Sequence, residues 1–241
     1  MIKLKHLTVA VGLAILAGQA SAAIRQPGDA SGNGSELFAV IYDTESKASF
    51  MKDLGLQLQN FLPTVAGTGV TTAGTVIPFN ITADSNWGSF LALTDGSPTL
   101  RFLVAAADSS GGATAGAQRF MATGGATNPF QSLSNLQVSS NLAAAPVKLL
   151  GDNQNRGTHS SASPVADNGS SVTTDDLAIN FGKAGTLSPT WAAGLPVGNI
   201  TGALGESLNF YFVARSAVGG NGGPPTRDQF DNVHGAAKWT F

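Results

Sequence analysis

The chain offers few histidines that could serve as the base of a serine–histidine–acid set. Histidine occurs three times, and only His159 and His234 lie beyond the first 22 residues. His159 stands beside Ser160 and Ser161, and the sequence lacks the Gly-x-Ser-x-Gly motif that presents a nucleophilic serine. A serine–histidine–acid set works only where fixed geometry holds its members together. We therefore predict that the protein is not an enzyme, and we keep a hydrolase as an alternative.

One stretch resembles the start of a calcium-binding loop. Asp29, Ser31 and Asn33 supply oxygen ligands at positions 1, 3 and 5, and a glycine follows at position 6. Position 12 is Val40, where such loops need a bidentate glutamate, so Glu36 would have to complete an irregular site. Calcium at these residues is the alternative to a plain Gly/Asn turn. The sequence predicts no other cofactor.

A second group of possible metal ligands recurs at a spacing of three. Asp228, Asp231 and His234 would share one face of a helical turn and could then offer three ligands to a metal. Their segment is short, follows Pro224 and Pro225, and directly precedes a strand-like sequence. These neighbours favour a polar loop over a metal site.

Several carboxylates could pair as they do in glycosidases. Such a pair must meet in space, at a separation that depends on the mechanism. The spacing along the chain does not choose among the candidates, so this alternative stays open for any two of them. The candidates are Asp43, Asp95, Asp175, Asp176 and Glu206.

Aromatic side chains suggest a further alternative, a carbohydrate-binding module. Trp87 and Trp239 with Tyr42 and Tyr211 could form a face on which sugar rings stack. Most of the aromatic residues are phenylalanines in strand-like segments, and this placement is typical of a core.

Composition bounds the class of the protein. The chain has 241 residues, a net charge of −2 and no cysteine, and charged residues make up 12% of it, about half of the ~25% that is usual. Without disulfides, packing and hydrogen bonds must stabilise the fold. The absence of basic runs argues against nucleic acid as a partner. A surface with so few charges repels other copies weakly, which favours self-association.

The N-terminal sequence predicts a secretory signal peptide. Two lysines precede an uncharged stretch at 7–18, and small residues at Ala20 and Ala22 place the cleavage site before Ala23. The twelve residues of that stretch would cover about 18 Å as a helix, well short of the ~30 Å hydrocarbon layer. We therefore predict removal of residues 1–22, no membrane-spanning segment, and export to the cell surface or the exterior, with the periplasm as an alternative.

Three segments follow in the mature chain. Residues 23–35 are rich in Gly and predict a flexible N-terminal arm. Residues 36–241 contain short β-rich segments between Gly, Pro and Asn turns, and predict one mainly antiparallel β-sandwich with one or two short helices. Residues 151–176 carry almost no large apolar side chain, so we predict a long polar loop there.

Local patterns predict individual elements of this domain. Glu36–Asp43 has apolar residues at both parities, which indicates a central strand, and 48–54 is its expected hairpin partner. Asp84 can cap a helical turn. The segment 131–150, with several leucines and alanines, predicts a helix.

Two blocks of the sequence share a layout. Residues 100–121 and 208–240 each contain a strand, a Gly-rich loop and a second strand. The two units could stack as opposing sheets.

Three segments carry a family resemblance: 34–55 (GSELFAVIYDTESKASFMKDLG), 209–216 (NFYFVARS) and 237–241 (AKWTF). They resemble a loosely defined group of exported all-β proteins of proteobacteria. Some members of that group carry a PEP-CTERM sorting tail, whose Pro-Glu-Pro motif, membrane helix and basic end this sequence does not contain. The resemblance implies a role in an extracellular matrix, surface or fibre, and it supplies no active-site residues.

Together these features predict a secreted structural protein, a self-associating subunit of an extracellular filament, sheath or biofilm matrix. The arm before a strand that is apolar on both faces suggests association by β-strand addition between copies. Other copies of the chain are the predicted partner, with extracellular polysaccharide as a further candidate. A secreted carbohydrate- or calcium-binding module and a secreted hydrolase are the alternatives.

Overall fold

The computed structural model describes residues 34–61, 79–143, 156–157, 169–174, 180–182, 199–232 and 235–241. The strands are β1 (Glu36–Asp43), β2 (Ala48–Gln57), β3 (Arg101–Asp108), β4 (Arg119–Gly124), β5 (Ser170–Thr173), β6 (Gly202–Ala203), β7 (Ser207–Ala214), β8 (Thr226–Gln229), β9 (Asp231–Asn232), β10 (Gly235–Ala236) and β11 (Lys238–Thr240). The helices are α1 (Ser85–Thr94) and α2 (Asn135–Gln137), with 3₁₀ turns at Leu58–Phe61 and Gly220–Gly222 and a π-helical turn at Val138–Ala143. Strands dominate, which confirms the predicted all-β class with few short helices.

Nine of the strands form one antiparallel sheet in the order β11-β7-β4-β3-β1-β2-β5, where β6 pairs with β3 and β8 pairs with β7. The ribbon of β9 and β10 is separate. Adjacent strands form the hairpins β1–β2 and β3–β4, whereas β4 pairs with the distant β7, Phe120 opposite Val213 and Ala122 opposite Tyr211. The two blocks of similar layout therefore lie side by side in one sheet, and are not opposing sheets.

Strand β1 occupies the middle of the sheet, as its two apolar faces predict. It pairs with β2 through a turn in which Lys47 has a φ of 57°, and with β3 on its other side. Phe38 lies opposite Asp53 of β2 and opposite Ala105 of β3. The two partner strands satisfy the backbone groups of β1 on both sides. Its side chains alternate above and below the sheet, and they can pack against both layers.

Apolar side chains cover both faces of the sheet. On one face the central strands pack against the segment that follows β4, with Phe130, Leu133, Val138 and Leu142 buried. On the other face they pack against Phe90 of α1 and against the partly buried Trp239 and Phe241 near the C-terminus. The fold is thus sandwich-like in section, with a sheet as the central layer and other segments on each side.

Helix α1 begins at the cap that the sequence predicts. The Asp84 side chain accepts a hydrogen bond from the backbone N–H of Asn86, which caps the helix. At the other end Asp95 is left-handed, with a φ of 37°, and its N–H donates to the carbonyl of Leu91. Phe90 is the side chain that fixes α1 to the sheet, since it is fully buried.

In its described part the predicted helix at 131–150 begins at Asn135 and changes to a π-helical turn at Val138. Ser134 and Gln137 form a capping box around α2, and the π-helical turn runs to Ala143, the last described residue of this segment. Residues 144–150 lie outside the described residues. No helix in the described ranges has both the length and the apolar character that crossing a membrane requires.

The last two residues of the predicted arm belong to the folded domain. Ser35 donates its backbone N–H to the carbonyl of Ala107 (2.7 Å), and its hydroxyl accepts from the N–H of Ala107 (2.8 Å). Gly34 has a φ of +74°, and a Cβ at this position would lie 3.1 Å from Cβ of Asp108. Both residues are buried. An arm can therefore comprise at most residues 23–33, which lie outside the described residues.

Part of the predicted polar loop is a strand. Residues Ser170–Thr173 form β5 and pair with residues 49–52 of β2. Polar contacts help to hold β5, because Ser170 donates its hydroxyl to Asp84 (2.7 Å) and accepts from the amide of Asn86 (3.0 Å). Apolar patterning could not indicate this strand, since three of its four side chains are Ser or Thr.

Candidate functional site

An open cleft lies where β4 ends and β7 begins. Its volume is about 640 Å³, within the range of roughly 300–1,000 Å³ that is typical of small-molecule sites. One wall is the segment that follows β4 (125–132), and the other is formed by Asn199, Thr201 and Glu206 around β6. Leu208 of β7 also lines the cleft.

The first wall is fixed at its start by β7. The hydroxyl of Tyr211 donates to the carbonyl of Gly125 (2.7 Å), and the amide of Asn209 donates to the same carbonyl (3.2 Å). A Cβ on Gly124 would lie 3.0 Å from both Pro129 and the ring of Tyr211. Glycine at this position therefore lets the wall fold back against Tyr211.

The rest of the first wall is anchored by Arg227 of β8. Its guanidinium donates to the carbonyls of Phe130 and Leu133, at 2.7 Å each. The Asn128 side chain accepts from the N–H of Phe130 (2.9 Å), which closes the turn. This wall is held by side chains from two strands.

The second wall is held by polar side chains of β3 and β4. Thr123 donates its hydroxyl to the carbonyl of Ile200 (2.7 Å). The Arg101 guanidinium donates to the carbonyl of Thr201 (3.1 Å) and to its hydroxyl (3.2 Å). The carboxylate of Glu206 accepts from a backbone N–H of β6 (2.8 Å). Both walls are thus fixed by hydrogen bonds within the fold.

The side chains that line this cleft include several hydrogen-bonding groups. Thr127, Gln131, Ser132 and Asn199 are exposed, and within the described part of the chain their side chains make no hydrogen bond. Glu206 supplies the one charged group among the described lining residues. Hydroxyl and amide groups both donate and accept hydrogen bonds, so the cleft offers both functions over a short distance.

The edge of the sheet beside β7 is a second candidate site. Strands β8 and β11 cover different parts of β7, and within the described ranges each has a strand partner on one side only. Their side chains are exposed or half-buried. A strand with one partner presents unpaired N–H and C=O groups along its outer side.

The register identifies which groups of β8 face outward. The N–H of Phe230 donates to the carbonyl of Phe210 (2.9 Å), so these two residues form a hydrogen-bonded pair. Hydrogen-bonded and non-hydrogen-bonded pairs alternate along an antiparallel ladder. The pairs Tyr211–Gln229 and Val213–Arg227 are therefore of the non-hydrogen-bonded kind. The backbone N–H and C=O of Gln229 and Arg227 point away from β7.

Asp43 connects the β1–β2 turn to the loop before β3. Its carboxylate accepts from the N–H of Ser46 (2.8 Å) and from the hydroxyls of Ser97 (3.0 Å) and Thr99. Burial alone would raise the pKa of this carboxyl, but the hydrogen bonds from Thr99, Ser46 and Ser97 outweigh burial and lower the pKa to about 2. This arrangement is structural, because each partner is already engaged within the fold.

Asp53 has the opposite environment. It is buried on β2, its carboxylate accepts from the N–H of Gly55 (2.8 Å), and Glu36 of β1 lies close enough to repel it. Burial raises the pKa of the Asp53 carboxyl well above its ordinary value, and the Glu36 carboxylate raises it further. Protonated Asp53 is therefore the form that the fold favours.

Two ion pairs hold neighbouring elements together. Lys52 of β2 lies 2.9 Å from Asp84 at the start of α1, and Arg119 of β4 contacts Asp108 of β3. Burial alone would raise the pKa of each aspartate, but hydrogen bonds outweigh burial and lower both pKa values. Lys52 and Ser170 donate to Asp84, and Ser110 and Arg119 donate to Asp108. These carboxylates are anchors of the fold.

The predicted calcium site and signal cleavage site fall mostly on residues that are not described. Asp29, Ser31 and Asn33 lie outside the described residues, as do Ala20, Ala22 and Ala23. Glu36 begins β1, half-buried near Asp53. No cluster of three His, Cys, Asp or Glu that could hold a metal occurs among the described residues. Calcium at Glu36 stays a prediction.

The remaining metal and catalytic candidates are not brought together in the described chain. Asp228 lies in β8 and Asp231 in β9, so the helical turn that would align them is absent there. His159 and His234 lie outside the described residues, as do Asp175 and Asp176. Asp43 accepts four hydrogen bonds, Asp95 ends α1, and Glu206 lines the cleft.

Two of the four residues of the predicted sugar-stacking face are buried. Tyr42 and Tyr211 are buried, with 5% and 1% of their surface exposed. Trp87 packs against Phe50 and Phe90, and Trp239 packs against Phe79 and Phe210. The two tyrosine rings belong to the core, whereas Trp87 and Trp239 are only partly buried.

Sequence reasoning missed the cleft. Its polar side chains come from two segments, 125–132 and 199–206, that are far apart along the chain and carry no recognisable motif. A weak signal was the Gly124-Gly125 pair followed by Asn128-Pro129, which predicts a turn after a strand.

No protein-family model, no curated protein and no solved structure matches this chain.

Proposed function

We propose that the protein is an exported structural subunit that self-associates into an extracellular filament, sheath or biofilm matrix. The contact between copies is β-strand addition at the edge formed by β8 and β11. One observation carries the proposal: this edge of a nine-stranded sheet has strand partners on one side only within the described chain. Strand addition there would pair the outward N–H and C=O groups of Arg227 and the C=O of Gln229. The N–H of Gln229 donates to the exposed Asp228 carboxylate (2.9 Å), and an added strand would take the place of that carboxylate.

The donor strand comes from residues 23–33 of the next copy. An arm on one surface that binds an edge on another surface makes a head-to-tail contact, and repetition of that contact gives an open chain. Pairing of the edge with the same edge of a second copy would instead give a closed dimer. The arm would join the folded domain at Gly34 and Ser35, and Ser35 is fixed to β3 through Ala107, so the root of the arm has a defined position in the fold.

The surface composition supports association between copies. Charged residues are only 12% of the chain and the net charge is −2, so long-range repulsion between copies is weak. At the edge itself Asp228 and Lys238 are exposed and carry opposite charges. The resemblance to exported all-β proteins of proteobacteria suggests the same matrix role and the same location outside the cell.

The test is the assembly state of the mature chain, residues 23–241, measured by light scattering over a range of concentrations. We expect masses that grow with concentration, and fibres in negative-stain micrographs. Gln229→Pro removes the outward N–H without removing a ladder hydrogen bond, and proline is tolerated on edge strands in this orientation. This variant should stay monomeric, whereas the control Gln229→Ala, which keeps the N–H, should assemble.

Deletion of residues 23–33 tests the donor. The shortened chain keeps Gly34 and Ser35, so its far-ultraviolet circular dichroism should match that of the full mature chain, and it should be monomeric. A wild-type chain that is monomeric at millimolar concentration would refute the proposal. Assembly of Gln229→Pro at the wild-type concentration would refute the edge as the contact, and assembly of the shortened chain would refute the arm as the donor.

A further inference from the structure

We propose that the cleft between 125–132 and 199–206 binds a neutral oligosaccharide. This binding is separate from contact between copies, because the cleft residues are not part of the outward backbone of β8 or β11. The inference rests on the chemistry of the lining, on its charge and on the rigidity of the two walls.

The lining matches the hydrogen-bonding pattern of a sugar. Each hydroxyl of a sugar both donates and accepts, and neighbouring hydroxyls lie close together. Gln131 and Asn199 each carry a carbonyl oxygen and an amide NH₂, and Thr127 and Ser132 carry hydroxyls. These four side chains are exposed and make no hydrogen bond within the described chain. They can therefore bond to a ligand without breaking a bond of the fold.

The charge of the cleft selects a neutral ligand. Glu206 is the one charged side chain among its described lining residues, and its carboxylate would repel the carboxylates or sulfates of an acidic polysaccharide. A carboxylate also accepts hydrogen bonds from sugar hydroxyls, and such bonds are stronger than those to neutral acceptors. The exposed Ala126 adds apolar surface that can contact the C–H groups of a sugar ring.

The walls are held in place before any ligand binds. Tyr211 and Arg227 fix the first wall, and Thr123 and Arg101 fix the second. A site whose backbone is already ordered loses less conformational entropy on binding. The volume of about 640 Å³ is large enough for more than one polar ring.

The experiment is a calorimetric titration of the mature protein with neutral hexasaccharides. They are composed of glucose, galactose, mannose or N-acetylglucosamine, in α- and β-linked forms. We expect saturable binding of at least one of them. The double variant Gln131→Ala/Asn199→Ala should weaken that binding at least tenfold. The matched control is Asn80→Ala, which removes an exposed amide before α1.

Circular dichroism and the thermal midpoint establish that each variant is folded. The proposal is overturned if none of the hexasaccharides binds, or if the double variant binds as tightly as the control. Binding of an anionic polysaccharide such as alginate in place of all the neutral ligands would also overturn it. The Gln131→Ala and Asn199→Ala single variants, each expected to weaken binding by a smaller factor, provide a second measurement if the double variant unfolds.

Discussion

Replacement of Asp43 by asparagine should destabilise the protein at neutral pH and have almost no effect in strong acid. The carboxylate accepts from Ser46, Ser97 and Thr99, and these bonds hold its pKa at about 2 in the folded state. Asparagine has the same shape but replaces one accepting oxygen with an NH₂ group. The NH₂ group would face either the N–H of Ser46 or the two hydroxyls, so at least one of these bonds is lost or reversed.

The size of the effect follows from the pKa. The ordinary value is 3.8 and the folded-state value is about 2, and a tenfold change in proton affinity is worth ~1.4 kcal/mol. The ionised Asp43 carboxyl therefore contributes about 2 kcal/mol to the free energy of unfolding. A folded-state pKa below the unfolded one gives stability that is complete above pH 4 and disappears as the pH falls through 2.

The assay is urea denaturation of the mature chain at pH 7, 5, 3.5 and 2.5, monitored by circular dichroism. Asp43→Asn should lower the free energy of unfolding by about 2 kcal/mol at pH 7 and 5, with a clearly smaller difference at 2.5. Asp95→Asn is the control, since Asp95 is exposed and asparagine also adopts the left-handed conformation that ends α1. A loss that is equal at all four pH values, or no loss at pH 7, would refute the reasoning.

Two further predictions concern the buried face of β2 and helix α1. Asp53→Asn should raise the free energy of unfolding at pH 7 and have no effect at pH 3. Because the folded state raises the pKa of the Asp53 carboxyl, the wild-type protein has its full stability below the unfolded-state pKa and loses stability as the pH rises. The same urea series measures this difference, and destabilisation at pH 7 would contradict the prediction. Phe90→Ala should lower the free energy of unfolding by about 3–5 kcal/mol, because Phe90 is fully buried against Phe50 and Trp87. The control is Leu93→Ala, at a side chain that is 48% exposed. A thermal midpoint of Phe90→Ala within a degree of the wild-type value would contradict the prediction.

The strong strands of the sheet could be predicted because their side chains carry enough apolar area to define a face. β1, β3 and β7 consist almost wholly of buried apolar residues, and β1 and β2 are joined by a short polar turn. The cap at Asp84 was equally local, since a side chain two residues from its partner depends on no distant contact. Local patterns of this kind specify an element whatever the rest of the chain does.

The features that escaped prediction depend on distant partners. β5 is polar and is held by Asp84 and Asn86, about 85 residues away along the chain, and no periodicity marks such a strand. Burial of Ser35 likewise depends on Ala107. The cleft needs the register of β4 against β7 before its two walls can be placed together. Sequence patterns predict which segments become strands, but pairing between remote segments determines where their polar neighbours meet.

The anchoring of Ser35 determines how the domain would carry tension. A force applied to the chain upstream of Ser35 passes directly into β1, the strand at the centre of the sheet, which is bonded to β2 on one side and to β3 on the other. Pulling along a strand loads all of its ladder bonds at once, whereas pulling at a sheet edge opens them one after another. Subunits joined through that end of the chain would resist stretching with the strongest part of the molecule.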